Sequence, residues 1–331
     1  MKLYDVTIVG ASGLVGRKIL ELLHERKFAL GQVTAVASDA SEGKEVVISG
    51  HSYRLHRLTK EVFKNSEFAF FSAGAYVSHQ WAPIAAEEGS LVIDNSSAFR
   101  MTEGVPLVVP EVNRPDIFKH KGIIANPNCS TIQLVVALKP LDKLYKIKRV
   151  VVSTYQSVSG AGHKGVLRLK NELRDDYDGD SPFAHQIAFN ALPHIDVFFD
   201  DGYTKEEHKM MNETKKIMHL PELKITVTCV RVPTIGGHGE SVNIEFEKAV
   251  KPEDVHEVLE KSKGIVVIDE PNKNKYPMPI DAEDKDEVFV GRIRKDETLK
   301  NGINMWVVSD SVRKGAATNA VQIAEEFLKG K

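Results

Sequence analysis

The chain reads as an α/β protein of two domains, the first a doubly wound, Rossmann-type parallel sheet. Three observations predict this. At 331 residues it exceeds what one ordinary core organises. Short apolar runs rich in β-branched residues alternate with helical patterns as far as Ala125. A glycine-rich turn follows the first of those runs, where a nucleotide-binding βα unit would place it.

Val6-Thr7-Ile8-Val9 has the composition of a buried parallel strand. The turn is Gly10-Ala11-Ser12-Gly13-Leu14-Val15-Gly16, and a helical pattern runs on through Ile19, Leu20, Leu22 and Leu23. Glycines there let the backbone turn tightly and approach a pyrophosphate, which the free N–H groups of a helix start can receive. The spacing departs from the usual G-x-G-x-x-G, so a glycine turn that binds nothing is the alternative. Further strands are expected at 33–37, 68–71, 91–93 and 123–125, with a helix at 81–88. Past the second strand lies Ser38-Asp39-Ala40-Ser41-Glu42-Gly43-Lys44. An acid here suits a free ribose, whereas serines and a lysine suit a 2′-phosphate, so NAD and NADP both stay open.

Asn126-Pro127-Asn128-Cys129-Ser130-Thr131 precedes an apolar-periodic segment that predicts a helix over 132–141. A thiol at a helix N-terminus meets the positive end of the macrodipole, which favours the thiolate. A thiolate is the nucleophile that acyl transfer uses. The competing reading is a cysteine packed as a small core hydrophobe.

The second half changes character. A long strand is expected over 150–156, preceded by a solvated turn at Lys146, Lys148 and Arg149. Ser157-Val158-Ser159-Gly160-Ala161-Gly162 reads as a flexible turn, and a helix as 163–175. Residues 176–203 look irregular, a length of loop that usually marks function or an interface. Thr204-Lys205-Glu206-Glu207 is a capping-box pattern opening a helix to Met218. Glu206 and Lys209 share one face of it, and by themselves would be an ordinary exposed ion pair. Strands are expected at 225–232 and 242–247, with Cys229 buried and inert in the first. Between them, His238 is flanked by glycines on what reads as a loop, a setting that suits an acid or base better than core filling. Arg231, at a strand end, could grip a carboxylate bidentately. A helix at 252–261, strands near Val266 and at 288–293 and 305–308, and a helix at 313–328 complete the chain.

A formal net charge of -2 with no dense basic run gives no case for nucleic acid. No apolar stretch approaches the ~18 residues of a membrane span, and the first residues run straight into a strand rather than a leader. The histidines lack ligand spacing, so no metal site is expected. Two cysteines make no disulfide framework, and a reducing cytoplasm fits.

Four stretches, Gly10 to Gly16, Asn126 to Thr131, Gln156 with Ser159-Gly160-Ala161-Gly162, and Arg231 to Ser241, resemble the aspartate-β-semialdehyde dehydrogenase family in order and spacing. Ser309 to Asn319 also looks like that family. The resemblance implies NADPH-dependent reductive dephosphorylation of L-4-aspartyl phosphate to aspartate semialdehyde, a step toward lysine, methionine and threonine. In that scheme Cys129 is acylated and His238 is the acid/base. Asn128 and the Cys129 backbone stabilise the oxyanion, and Gln156 orients the intermediate. Arg231 and Glu206 would hold the substrate carboxylate and ammonium, and Arg100 and Lys209 the phosphate. Gly10, Ala11, Ser12, Gly13, Leu14, Val15, Ser38, Ser41, Ser159, Gly160 and Asn319 would line the cofactor. The implied domains are 1–127 with 314–331, and 128–313. The latter would be an α+β catalytic and dimerisation domain of the glyceraldehyde-3-phosphate dehydrogenase-like kind, forming a homodimer or a homotetramer. Asp39-Ala40 departs from the basic residue that NADP-dependent relatives place there, which leaves NAD as an alternative cofactor. N-acetyl-γ-glutamyl-phosphate reductase is the nearest competing family, but its cysteine motif differs. A thiol hydrolase would have no use for the glycine turn.

Overall fold

The computed structural model describes residues 2–176 and 181–330, so residues 177–180 of the expected irregular stretch lie outside the described residues. The chain divides into two compact units, residues 1–128 with 316–331, and residues 129–315.

The first unit is built on a seven-stranded sheet of order β3-β4-β2-β1-β5-β6-β7. Its strands are β1 (Tyr4–Val9), β2 (Leu30–Val36), β3 (Glu45–Ile48), β4 (His51–His56), β5 (Phe68–Phe71), β6 (Leu91–Asp94) and β7 (Ile123–Ala125). All neighbouring pairs are parallel except the β3/β4 hairpin. That hairpin replaces a crossover helix, and its strands, Glu45-Val46-Val47-Ile48 and the largely polar His51–His56, are too short to stand out in sequence. Strand order reverses at β1, so the carboxyl end of β1 is the switch point where ligands bind in such sheets. Helix α1 (Leu14–Glu25) starts there, and α2 (Ala75–Glu87) and the short α3 (Pro110–Asn113) follow. Ile19, Leu20, Leu22 and Leu23 of α1 are fully buried, at about 1.5–3 kcal/mol each. The C-terminal helix, Thr318–Lys329, shares that core through Val321, Ile323 and Ala324. Arg26 clamps it with two bonds to Glu325, at 2.9 and 2.8 Å.

The second unit holds a six-stranded mixed sheet of order β11-β12-β13-β10-β8-β9. The strands are β8 (Ile147–Gln156), β9 (Lys224–Arg231), β10 (His238–Phe246), β11 (Ile265–Val267), β12 (Val288–Asp296) and β13 (Gly302–Ser309). Its helices are α4 (Cys129–Tyr145), α5 (Gly162–Glu172), α6 (Lys205–Met218), α7 (Pro252–Glu260) and the short α8 (Pro279–Ala282). Helix α4 has its apolar face on the sheet, with Ile132, Leu134, Val135, Ala137 and Leu138 fully buried. Helix α6 begins in the expected capping box: Thr204 Oγ1 accepts from the Glu207 amide, and Glu207 returns the bond to Thr204 N–H.

Three expectations need correction. Lys148 and Arg149 belong to β8, where a bulge opposite Glu245 and Phe246 lets two polar residues follow one another between the buried Ile147 and Val150. Residues 157–162 are no flexible turn: Val158–Ala161 is a 3-10 turn with Ser157 and Val158 fully buried, held by the bond from Val158 N–H to Thr234 O. His238 is not on a loop either. It is the first residue of β10, hydrogen-bonded into the centre of the sheet, and is completely buried.

Candidate active site

The register of the second sheet explains how residues far apart in sequence meet. Arg231, Gln156, His238 and Ser309 form one lateral row across β9, β8, β10 and β13. One row further in lie Cys229, Thr154, Glu240 and Val307. Side chains two apart on a strand share a face, so His238 and Glu240 point the same way. Helix α4 places its first residue against this row: Cys129 Sγ lies 3.2 Å from His238 Nε2. Gly315 makes room for the sulfur's residue, since a Cβ there would come within 2.9 Å of Cys129 Cβ.

The tautomer of His238 follows from its other nitrogen. The Ser157 backbone N–H, which can only donate, points at Nδ1 at 3.1 Å. Nδ1 therefore carries the lone pair and Nε2 the proton, so the imidazole donates toward the sulfur. Burial, together with the positive charge of Arg231, pushes the His238 imidazolium down to about 3. The residue is neutral at working pH, a correction to the ordinary histidine value expected of an exposed loop.

Arg231 is buried at the end of β9, and its Nη1 donates to Ser157 O at 2.6 Å. It also interacts electrostatically with Glu206 and with Cys129. Gly160 backs the guanidinium: a Cβ there would stand 2.7 Å from Nη1. Gln156 Nε2 donates to Glu206 Oε1 at 3.1 Å, and Thr154 Oγ1 donates to Gln156 Oε1 at 3.0 Å. Glu206 in turn meets Lys209 at 3.1 Å, and Lys209 reaches Asp196 at 2.8 Å. The Glu206/Lys209 pair is thus a partly buried network in place of an exposed pair. Burial works against the Lys209 charge, but Glu206 and Asp196 outweigh it and hold the ammonium above its ordinary range. Asp196 and Thr154 had no motif to reveal them; only the fold brings them in.

Glu240 is another residue that sequence reading passed over. It is fully buried, and among the described residues neither carboxyl oxygen has a hydrogen-bond partner. Burial pushes its carboxyl well above the usual carboxylate range, against a weaker pull from the nearby Gln133 amide, which itself stands outside hydrogen-bond geometry. The folded protein therefore keeps the proton where the unfolded chain, above about pH 4.3, has lost it. Stability falls as pH rises through that window toward the raised value. Glu240→Gln is expected to raise stability above the unfolded carboxyl's range and to flatten its decline with rising pH there, read by thermal melts across pH. Cys229 is fully buried with its thiol pushed up by burial, as an inert core residue would be.

In the first unit, the turn between β1 and α1 is drawn tight. Gly10 has φ +94°, and a Cβ on it would meet Ser72 O at 2.6 Å. A Cβ on Gly16 would meet Gly10 O at 2.1 Å. Gly13 is the N-cap of α1 and offers no side-chain acceptor to the first-turn amides. Ser12, Gly13 and Leu14 are exposed, Val15 is half-buried, and Ala11 is fully buried and can offer only its backbone. Ser38 and Asp39 stand exposed at the 3-10 turn Asp39–Ser41, with Ser41 half-buried. This geometry suits a dinucleotide: a cradle that admits no Cβ beside uncapped amide donors.

Arg100 and Asn319 lie in a brace. Arg100 donates to Asn126 O and Asn95 O, both at 2.9 Å, and Asn126 Nδ2 donates to Asn95 Oδ1 at 2.8 Å. Asn319, fully buried, directs its amide to Asn126 Oδ1 at 2.7 Å and Val108 O at 2.9 Å. That amide holds the segment leading to the buried Asn128. Among the described residues no cluster could hold a metal ion, and no helix is long and apolar enough to cross a membrane.

A parallel-sheet unit with a glycine turn and a second unit with a cysteine–histidine pair on a mixed sheet define an NAD(P)-binding oxidoreductase of the semialdehyde dehydrogenase type. The family models agree: residues 5–120 match the NAD binding domain of semialdehyde dehydrogenases, and residues 138–314 their dimerisation domain. The chain is 58% identical over 334 residues to the aspartate-semialdehyde dehydrogenase of Aquifex aeolicus, covering 98% of both chains. It is 49% identical to that of Bacillus subtilis, covering 98% of this chain and 97% of the relative. Aspartate semialdehyde dehydrogenase II of Vibrio cholerae, solved as a complex with ASA, superposes with a TM-score of 0.95 at 46% identity, covering 99% of each chain. The Candida albicans enzyme, solved with NADP, gives 0.77 at 26% identity, covering 98% of each. The chain belongs to the aspartate-semialdehyde dehydrogenase family, and is an enzyme of that activity.

Proposed function

We propose that the chain converts L-4-aspartyl phosphate to L-aspartate 4-semialdehyde through a thioacyl intermediate on Cys129, in the synthesis of lysine, methionine and threonine. The single observation that carries this is the 3.2 Å approach of Cys129 Sγ to the Nε2–H of a neutral His238. Cys129, as thiolate, attacks the acyl carbon and expels phosphate. The helix start, the Nε2–H donor and the Arg231 charge all favour negative sulfur during that attack. Arg231 and Glu206 grip the substrate carboxylate and ammonium, and Gln156, pinned by Thr154 and Glu206, orients the acyl group. Lys209 and Arg100 receive phosphate oxygens. Asn128 and the Cys129 amide stabilise the oxyanion, an effect worth about 3 kcal/mol. His238 moves the proton on and off that oxygen.

A nicotinamide dinucleotide, when bound, supplies the hydride. Gly10 to Val15 would hold its pyrophosphate, Ser38 and Ser41 its ribose end, and Ser159 and Gly160 would support it as well. NADP is the cofactor we favour, with Ser38, Ser41 and Lys44 offsetting Asp39. Asp39→Ala is expected to shift the ratio of kcat/KM toward NADP by about tenfold, the effect of one removed like charge near a 2′-phosphate. An unchanged ratio would remove Asp39 from the account.

The working form is proposed as a homodimer in the cytoplasm. Phe189, Val197, Phe198 and Phe199 expose apolar surface on the second unit, which suits burial against another copy. Both cysteines are free thiols. Sedimentation decides between dimer and tetramer. Phosphate-dependent reduction of NADP with L-aspartate semialdehyde tests the reaction; turnover only with N-acetylglutamate semialdehyde would contradict it.

A further inference from the structure

The far side of His238 carries a chain of hydroxyls that the acid/base role alone does not explain. Ser157 Oγ lies 3.2 Å from His238 Nδ1, Ser159 Oγ 2.7 Å from Ser157 Oγ, and Ser311 Oγ 2.9 Å from Ser159 Oγ. His238 and Ser157 are 0% exposed, Ser159 8% and Ser311 6%. Each hydroxyl is both donor and acceptor, so the chain can be oriented either way. Three serines from two separate segments thus form a continuous hydrogen-bonded path from the fully buried ring to the first residues with any trace of exposure.

The path answers a chemical difficulty in the reading above, on which this inference rests. Nδ1 already accepts the Ser157 backbone N–H. A second ring proton would set N–H against N–H and also place a positive charge on a fully buried ring beside Arg231, so the imidazolium carries both penalties where a neutral Nδ1–H ring carries only the first. Yet a neutral imidazole that gives up its Nε2 proton becomes an imidazolate, a far stronger base than the oxygen it serves. The ring can act as an acid only if Nδ1 gains a proton as Nε2 loses one.

We propose that Ser157, Ser159 and Ser311 form a proton relay that recharges His238 at Nδ1 while Nε2 protonates the oxyanion on Cys129. In the forward direction Nε2–H breaks and the oxyanion gains that proton. The Ser157 hydroxyl proton passes to Nδ1, that of Ser159 to Ser157, that of Ser311 to Ser159, and solvent supplies one to Ser311. No electrons change hands, and the ring stays neutral throughout. When the hemithioacetal expels sulfur, its hydroxyl proton returns to Nε2 and the chain runs in reverse. The opposed Ser157 N–H makes the Nδ1–H form short-lived, which drives that return. Ser157 and Ser311 are positioning residues that act through His238.

The test is a proton inventory of kcat in mixed light and heavy water, with L-aspartate semialdehyde, phosphate and NADP, on wild type, Ser157→Ala and Ser311→Ala. Both variants keep their backbone N–H groups. The relay predicts a bowed inventory for wild type and a straight one for each variant. It also predicts kcat lower by about tenfold or more and KM within about twofold. Alkylation of Cys129 by iodoacetamide, which reads the cysteine–histidine pair alone, should stay within about twofold of wild type. A kcat within twofold and a still-bowed inventory in both variants would overturn the relay. So would a parallel loss of alkylation, which would mean that the serines merely hold the pair in place. Wild type without phosphate-dependent turnover would instead overturn the underlying reaction, and the relay with it.

Discussion

Arg231→Met is expected to lower kcat/KM for aspartate semialdehyde by about a thousandfold, the ~4 kcal/mol typical when one member of a buried charged network is truncated. The guanidinium is buried, donates to Ser157 O at 2.6 Å and faces Glu206, so methionine fills its volume but leaves both acceptors without their cation. The loss should fall mainly on KM, because the substrate carboxylate that Arg231 is proposed to grip does not react. A second effect separates this account from a purely structural one. Arg231 is one of the two influences that hold the His238 imidazolium down, after burial. Its removal raises that value, so the acid limb of the pH–rate profile should move to higher pH. Steady-state kinetics across pH 4 to 9 reads both effects, because the acid limb lies below this range in wild type and should enter it in the variant. A variant with wild-type KM and an unmoved acid limb would sink the assignment.

His238→Asn is expected to lower kcat by about 10²–10⁴ with little change in KM, the usual contribution of a positioned acid/base. Asparagine is smaller than the imidazole and cannot place a donor at the Nε2 position, so the sulfur loses the group now 3.2 Å away. Iodoacetamide alkylation of Cys129 at pH 7 should slow in the same variant, because the Nε2–H that stabilises negative sulfur is gone. The direction matters. A base with its lone pair toward sulfur would promote alkylation too, so the result that contradicts a working cysteine–histidine pair is an unchanged alkylation rate in the variant.

Much of this was legible before any fold was known. The β1–turn–α1 unit, the strands at Phe68–Phe71 and Ile123–Ala125, and the capping box at Thr204 are local signals, set by residues within one element. Cys129 also announced itself locally, as the first residue of a helix after a strand. His238 shows where local reading stops. Flanking glycines suggested a loop, but Gly239 is needed because the Trp306 ring packs where its Cβ would be, 2.4 Å away. The strand continues through it by pairing with β8 and β13, partners distant in the chain. The same pairing sets the row Arg231–Gln156–His238–Ser309 and buries the imidazole. The buried setting, in turn, is why its protonation differs from that of a loop histidine. The β3/β4 hairpin was missed because β3 offers only three apolar residues and β4 is largely polar. Glu240 was readable only as His238 plus two on a strand, a signal that the loop reading removed.

The most direct test of the central claim is peptide mass spectrometry of the enzyme mixed with L-aspartate semialdehyde and NADP in phosphate-free buffer, then acid-quenched. Without phosphate the acyl group has no acceptor but water, so it should remain on the sulfur. The account predicts an aspartyl thioester on the peptide bearing Cys129, and its disappearance when phosphate is added before the quench. A label on Cys229, or none on either cysteine while the aldehyde is still oxidised, would contradict it.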